Sequence, residues 1–211
     1  VGGAVIDSGN FDWDAHADRF PGLCTPDESY HGLTYTKTFG NKAYITKIVS
    51  QLMRDLGSIP SPMNCFLLNL GLETLHLRMP RHCSNADTVA RWLENSPKVA
   101  WVNYPSLPSD KYQHRAQKYL KNGSCGVIAF GLKGTRDDAI RFMDNLDFIA
   151  IATHVADIRT CVLHPASHTH RQLSDEQLRE AGIAPDLIRL SVGIEDVGDI
   201  LADLEQAINK M

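Results

Sequence analysis

One arginine near the end of the chain is the residue best placed to do chemistry. Arg189 precedes the apolar run Leu190–Gly193, so it lies at the head of a short strand that should be buried. A guanidinium cannot be deprotonated in a protein, so in such a place it needs an anionic partner. Its planar fork fits a carboxylate, and each charge-assisted hydrogen bond contributes about 1.5–3 kcal/mol. The sequence leaves two partners open, a bound carboxylate or an internal ion pair with Asp157, Glu195 or Asp196.

The histidines and cysteines near this strand favour structural roles. His164, His168 and His170 fall in the loop-like stretch HPASHTHRQ, where no acidic residue flanks them closely, so we predict no metal site. Cys161 and His164 are three positions apart on or beside one short strand, so their side chains should point to opposite faces. We therefore predict no thiol nucleophile there.

Two further motifs fail as catalytic signatures. Gly131-x-x-Gly134-Thr135 has neither the spacing of a Walker loop nor that of a dinucleotide fingerprint, and we interpret it as a turn in which Thr135 caps the next helix. Ser191 lies in RLSVG, which lacks the first glycine of a nucleophile elbow. Neither motif predicts phosphate binding or an activated serine.

Composition restricts the class of protein. The chain has 211 residues, 43% of them hydrophobic and 22% charged, which is typical of a globular protein with one good core. The net charge is −4 and no basic stripe accumulates, so we expect no nucleic-acid partner. The apolar runs are too short to cross a bilayer, so we expect no membrane partner. The five cysteines form no CxxC, and we predict reduced thiols and a cytoplasmic location.

The second part of the chain alternates between strands and amphipathic helices. We predict strands over residues 99–104, 125–132, 148–155, 160–163 and 187–192, and helices over residues 111–120, 136–146, 174–181 and from 197 to near the end. Ser174 with Gln177 forms a capping box. This alternation predicts an α/β sandwich with helices on one face of a sheet.

The first part of the chain is less regular. We predict a strand over residues 3–7, a long irregular loop, a helix over residues 42–56, and a helical stretch of some thirty residues from Asn64 that pauses near Pro80. Residues 1–79 therefore look like an incomplete domain, and residues 80–211 like a complete one. The chain opens at Val1 without an initiator methionine, so we expect it to be a piece of a longer protein.

Several long motifs carry a resemblance to a known family. IRTCVLHPASHTHRQL and IRLSVGIEDVGDILADLEQAI resemble the C-terminal part of the cystathionine γ-synthase-like enzymes, the Cys/Met-metabolism group that uses pyridoxal phosphate. GGAVIDSGNFDW, SYHGLTYTKTFGNKAYITK, GLETLHLRMPRH and VARWLENSPKVAWVNYP resemble the O-acetylhomoserine sulfhydrylase branch of that family. The resemblance covers essentially the whole chain in order.

The resemblance implies a fold and a set of site residues. Residues 1–79 would be a remnant of the large cofactor-binding domain of a fold type I transferase, together with the connecting helix. Residues 80–211 would be the C-terminal small α/β domain, with helices on one face of a mainly antiparallel sheet. Arg189 would hold the α-carboxylate of the substrate amino acid, and Thr153 and His154 would line the same pocket. Many relatives carry Ser or Asn where His154 stands, and the γ-lyases carry Glu near Thr153.

The resemblance also implies an activity for a longer parent protein. That parent would be a pyridoxal-phosphate-dependent transferase of methionine and homocysteine biosynthesis, which replaces the acetate of O-acetyl-L-homoserine by sulfide or methanethiol. It would be a cytoplasmic homotetramer. The Schiff-base lysine is expected upstream of Val1, and Lys37, Lys42 and Lys47 do not match its motif. We therefore assign no catalytic, cofactor-binding or metal residue here, and we expect the fragment alone to bind no cofactor and to be inactive.

Three alternatives stay open at this point. The parent could be a cystathionine γ-synthase or a methionine γ-lyase, although the missing Glu near Thr153 argues mildly against the lyase. The chain could also be a separate, non-catalytic module that binds a partner chain. The sequence does not distinguish sulfide from methanethiol as the preferred donor.

Overall fold

The computed structural model describes residues 2–211 and divides into two compact units, with the boundary between Glu73 and Thr74. The assignment of residues 1–79 and 80–211 to two domains of a larger enzyme stays a prediction. None of the described helices is both long enough and apolar enough to span a lipid bilayer.

The first unit consists of short helices. Its α-helices are α1 (Pro21–Cys24), α2 (Tyr35–Phe39), α3 (Ala43–Lys47), α4 (Arg54–Leu56) and α5 (Pro62–Glu73), with a π-helical turn over Ile48–Met53. The helix predicted over residues 42–56 is confirmed as the run from α3 to α4.

A small aromatic core stabilises this unit. Leu23, Tyr35 and Ala43 are buried, and the rings of Trp13 and Tyr44 stack beside them with centroids 5.3 Å apart. The strand predicted over residues 3–7 is wrong for the described residues, because none of its backbone groups pairs with a neighbouring strand within residues 2–211. An extended segment becomes a strand only through such pairing.

The second unit contains five helices and five strands. The helices are α6 (Leu75–Asn95), α7 (Gln113–Tyr119), α8 (Arg136–Asp144), α9 (Asp175–Glu180) and α10 (Val197–Asn209). The strands are β1 (Val99–Asn103), β2 (Val127–Leu132), β3 (Ala150–Ile151), β4 (Cys161–Leu163) and β5 (Leu187–Ser191). The capping boxes at Thr135 and Ser174 are both present, so the predicted starts of α8 and α9 are confirmed.

Helix α6 runs through Pro80 without interruption, so the pause predicted there is wrong. A proline inside a helix removes one backbone hydrogen bond and costs about 3 kcal/mol. Ala86, Val89 and Leu93 are fully buried on one face of α6. We attribute the continuity of the helix to the packing of this face, which outweighs the local cost.

The sheet has the strand order β1-β2-β5-β4-β3. Three of its pairings are antiparallel, and only β3–β4 is parallel. Side chains from α6, α8 and α10 share one core cluster with Ile128, Phe130, Ile188 and Leu190 of the central strands. The prediction of a mainly antiparallel sheet with helices on one face is confirmed.

Strand β3 is much shorter than the predicted strand over residues 148–155. The buried carboxylate of Asp203 on α10 accepts hydrogen bonds from the backbone N–H groups of Asp147, Phe148 and Ile149, at 2.8 to 3.1 Å. These donors therefore point to a helix side chain and not to a strand. We call these three hydrogen bonds the Asp203 clamp. Sequence periodicity does not predict it, because its partners are more than fifty residues apart.

Candidate functional site

The side chain of Arg189 lies on the sheet face opposite the three core helices. Residues on a strand alternate between the two faces, and the flanking Ile188 and Leu190 are fully buried in the helix-side core. Arg189 is paired with Ala129 of β2 and with Leu163 of β4.

The guanidinium of Arg189 is only partly satisfied by the protein. Its Nη2 donates to the carbonyl oxygen of Thr153 at 2.9 Å and to that of His154 at 3.4 Å. Its Nε is buried and has no hydrogen-bond partner among residues 2–211. The structure thus brings together all three predicted substrate-binding residues, although Thr153 and His154 meet the arginine through their backbone.

The three acids that could have paired with Arg189 inside the protein are engaged elsewhere. Asp157 contacts Arg159 at 3.3 Å, Glu195 accepts from Thr160, and Asp196 accepts from the backbone N–H of Gly198 as the N-cap of α10. Within the described residues, no carboxylate forms an ion pair with Arg189. The internal ion pair left open by the sequence is therefore not formed there, and the guanidinium retains donors for an external anion.

The loop that carries Thr153 and His154 is fixed by β4 and β5. The thiol of Cys161 donates to the His154 carbonyl at 3.2 Å, and Ser191 Oγ accepts from the backbone N–H of Ala156 at 3.0 Å. Ala156 has a φ of 61°, a left-handed conformation that costs an alanine roughly 1–2 kcal/mol. Backbone strain of this kind persists where surrounding contacts over-determine it, and it clusters at functional sites.

A second set of contacts fixes the far end of the loop. The Glu195 carboxylate accepts from the backbone N–H of Thr160 at 2.5 Å and from its hydroxyl at 2.9 Å, and that hydroxyl accepts from the N–H of Gly193 at 2.9 Å. A Cβ at Gly193 would overlap both the Glu195 carboxylate and the Ile158 carbonyl oxygen. Only glycine fits this close approach.

We expect Ser191→Ala to loosen the loop. The substitution leaves the Ala156 N–H without its acceptor, and an unsatisfied backbone donor costs about 1–3 kcal/mol. Urea unfolding should show that loss, and hydrogen exchange should show faster exchange at the Ala156 amide. Ser84→Ala, at an exposed position on α6, is the matched control and should change neither quantity. Unchanged exchange at Ala156 would contradict the assigned role of Ser191.

The other histidines and cysteines named from the sequence have structural surroundings. His164 is fully buried, with Nε2 2.8 Å from the Pro185 carbonyl and Nδ1 2.9 Å from Ser167 Oγ. Burial lowers the pKa of His164, which keeps the ring neutral, and burial raises the pKa of the Cys161 thiol, which disfavours a nucleophilic thiolate. His168 contacts the His164 carbonyl at 3.0 Å. Within residues 2–211 no group of three or more potential ligands is arranged for a metal ion.

Sequence reasoning missed the residues that position the loop. Ser191 lies two residues after Arg189 on the same strand, so strand alternation alone places both side chains on one face. No sequence pattern predicts the role of Cys161, because the group it contacts is the backbone carbonyl of His154, seven residues away. Glu195 was named only as a possible ion-pair partner of Arg189.

The lysine amino groups do not fit the Schiff-base role that pyridoxal phosphate requires. Lys47 Nζ is bonded to Asp27 at 2.7 Å and to the Gly22 carbonyl at 2.8 Å, and Lys98 Nζ donates to the Ile208 carbonyl at 2.9 Å. The remaining lysines of the described chain are exposed. No lysine among residues 2–211 thus offers a free amino group in an enclosed position, so we assign the cofactor to no residue here and derive no step through it.

Comparison with known proteins identifies a family whose sequences match this chain. The model of the Cys/Met metabolism PLP-dependent enzymes matches residues 1–209. The chain is 46% identical over 208 residues to a homocysteine synthase of Schizosaccharomyces pombe, covering 99% of this chain and 48% of that protein. It is 45% identical over 208 residues to O-acetyl-L-homoserine sulfhydrylase 1 of Thermus thermophilus, covering 99% of this chain and 49% of that protein.

A solved structure agrees with these relatives. The putative O-acetylhomoserine (thiol)-lyase of Campylobacter jejuni, described with N'-pyridoxyl-lysine-5'-monophosphate, matches with a TM-score of 0.79 and 40% identity, covering 91% of this chain and 45% of that one. The chain spans about half the length of the curated relatives it matches. By the match over almost its whole length, it belongs to the Cys/Met metabolism family of pyridoxal-phosphate-dependent enzymes.

Proposed function

We propose that this chain is the C-terminal part of an O-acetyl-L-homoserine sulfhydrylase, a transferase that replaces acetate by sulfide or methanethiol. The observation that carries the proposal is the guanidinium of Arg189, which keeps a buried, unpartnered Nε because the acids Asp157, Glu195 and Asp196 are engaged by other groups. The name of the T. thermophilus relative supports the choice of substrate, and the name of the S. pombe relative supports homocysteine as the product with sulfide.

In this proposal the residues of the chain bind and orient the amino-acid substrate. Arg189 donates from Nε and from its free terminal N–H groups to the two oxygens of the α-carboxylate. The Thr153 and His154 carbonyls hold the guanidinium plane, since Nη2 already donates to both. A fixed fork restricts the rotation of the bound amino acid, and such orientation lowers the barrier to reaction by removing an entropic cost. In the parent enzyme the remaining half of the polypeptide supplies the cofactor site.

We also propose that the parent is a homotetramer in the cytoplasm. Support for assembly comes from α5, where Met63, Phe66 and Leu72 are each at least 60% exposed on a helix that is apolar on several sides. Such a surface is normally covered by further protein. The five free cysteines support a reducing compartment. Light scattering on the purified parent tests the tetramer directly, and a monomer would overturn it.

Turnover by the protein from the longest open reading frame containing these residues tests the function. We expect O-acetyl-L-homoserine with sulfide or methanethiol to give acetate and the thioether or thiol product in equal amounts. Preferred formation of cystathionine from cysteine would indicate a γ-synthase, and release of 2-oxobutanoate from methionine a γ-lyase. Absence of turnover with every substrate would favour the non-catalytic module and would overturn the proposal.

A further inference from the structure

The imidazole of His154 is held in a defined orientation beside the arginine site. Its Nδ1 lies 3.3 Å from Oδ2 of Asp157, and a carboxylate can only accept, so Nδ1 carries the hydrogen. In the neutral ring Nε2 then carries the lone pair. Nε2 has no hydrogen-bond partner among residues 2–211, and the His154 side chain is 61% exposed. The free nitrogen is therefore an accessible proton acceptor.

The carboxylate that orients this ring is itself fixed. Oδ1 of Asp157 accepts from the backbone N–H of Arg159 at 3.0 Å and from Arg159 Nε at 3.3 Å. These hydrogen bonds, together with the one from His154, lower the pKa of Asp157 to about 2. Asp157 therefore stays anionic at neutral pH and remains a hydrogen-bond acceptor for the ring of His154.

His154 is also the residue whose backbone contacts the substrate-binding guanidinium. Its carbonyl oxygen accepts from Arg189 Nη2 at 3.4 Å and from the Cys161 thiol at 3.2 Å. The titratable and charged groups facing His154 are thus Asp157 on its own loop, Arg159 through that carboxylate, Arg189 on β5 and Cys161 on β4. The ring therefore belongs to a residue whose backbone carbonyl contacts the guanidinium that, in the proposed function, binds the amino acid.

We propose that His154, oriented by Asp157, is the catalytic base that accepts the proton of the incoming thiol. This inference rests on the proposed function. The S–H bond breaks, the proton binds Nε2, and the electron pair left on sulfur forms the new C–S bond to the γ-carbon of the substrate. Over the whole replacement, acetate leaves the same carbon with the electron pair of the C–O bond, and the proton on Nε2 passes to water as the ring returns to its neutral form. The imidazolium formed is stabilised by Asp157, which is a positioning residue.

A pair of thiols of nearly equal size tests this role. Ethanethiol is a weak acid, whereas trifluoroethanethiol is far more acidic, so an assay pH between their two pKa values leaves one protonated and the other ionised. A general base accelerates reaction typically by 10²–10⁴-fold. We expect His154→Gln in the full-length enzyme to lower kcat/KM for ethanethiol by about 100-fold and for trifluoroethanethiol by less than about tenfold. Asp157→Asn should change the ratio of kcat/KM for ethanethiol to kcat/KM for trifluoroethanethiol in the same direction, by a smaller factor.

The controls separate the proposal from a structural role. His114→Gln alters an exposed histidine on α7 and should leave kcat/KM for both thiols unchanged. His154→Asn provides a second variant should the glutamine form fold poorly. An equal loss for both thiols, or no loss, would overturn the base while leaving the sulfhydrylase function intact. A wild-type enzyme without thiol-dependent turnover would overturn both.

Discussion

Replacement of Arg189 by alanine is expected to raise KM for O-acetyl-L-homoserine by about 100-fold in the full-length enzyme. Two charge-assisted hydrogen bonds of about 1.5 kcal/mol each are lost, and each 1.36 kcal/mol corresponds to a factor of ten. Arg189→Lys keeps the charge but loses the planar fork, so it should recover only part of the affinity. Steady-state kinetics with varied amino-acid substrate measures both changes. Arg171→Ala, at an exposed loop position, is the matched control and should leave KM unchanged.

The carboxamide analogue of the substrate distinguishes two roles of Arg189, the binding of the carboxylate and the ordering of the loop. The guanidinium also holds the Thr153 and His154 carbonyls, so its loss loosens the loop as well as the carboxylate site. Disorder of the loop would raise KM for the carboxylate substrate and for its uncharged amide by similar factors. Loss of the contact with the carboxylate would raise KM for the carboxylate substrate far more than KM for the amide. Equal losses for the two compounds would therefore contradict the assigned role.

Asp203→Asn is expected to lower the free energy of unfolding by about 3 kcal/mol. Asp203 is only 4% exposed, and its two oxygens accept from three consecutive backbone N–H groups and from Gln206. An asparagine amide presents N–H groups to donors, so at least one buried donor loses its acceptor at about 1–3 kcal/mol, and the charge-assisted bonds weaken. Urea unfolding followed by tryptophan fluorescence, to which Trp13, Trp92 and Trp101 contribute, measures the change.

The same carboxylate predicts a pH dependence. Burial raises the pKa of Asp203, but the hydrogen bonds from the backbone and from Gln206 together outweigh burial, so its pKa lies below the ordinary value of 3.8. Its stabilising contribution is present above that value and is lost as the pH falls through the lower pKa of the folded state. The difference between wild type and Asp203→Asn should therefore be largest near neutral pH and shrink in acid.

A second substitution on the same helix serves as the control for Asp203. Glu205→Gln alters an exposed carboxylate on α10 and should change the free energy of unfolding by less than about 0.5 kcal/mol at any pH. A pH-independent difference between wild type and Asp203→Asn would show that the buried charge is not what stabilises this clamp.

The regular elements of the second unit were predictable because their signals are local. The capping boxes at Thr135 and Ser174 involve residues three positions apart, and the buried face of α10 repeats at helical spacing. The central strands β2 and β5 were found for a similar reason, since both are short apolar runs bounded by turn residues. Fold class follows from such patterns.

Long-range contacts were the part that local patterns could not supply. Residues 3–7 have the composition of a strand but no strand neighbour in the described chain, and β3 is cut short by a carboxylate more than fifty residues away. The continuity of α6 through Pro80 depends on how its buried face packs. Each of these depends on partners that are distant in sequence.

The sequence by itself determined that a guanidinium stands on an apolar strand of an α/β unit and needs an anion. Only the tertiary structure decided which partners it has, because the Thr153 carbonyl is 36 residues away and the competing Glu195 is held by Thr160 across 35 residues. Hydrogen-bonding groups are satisfied by whichever partner the fold brings within about 3 Å, and spacing along the chain does not determine that partner.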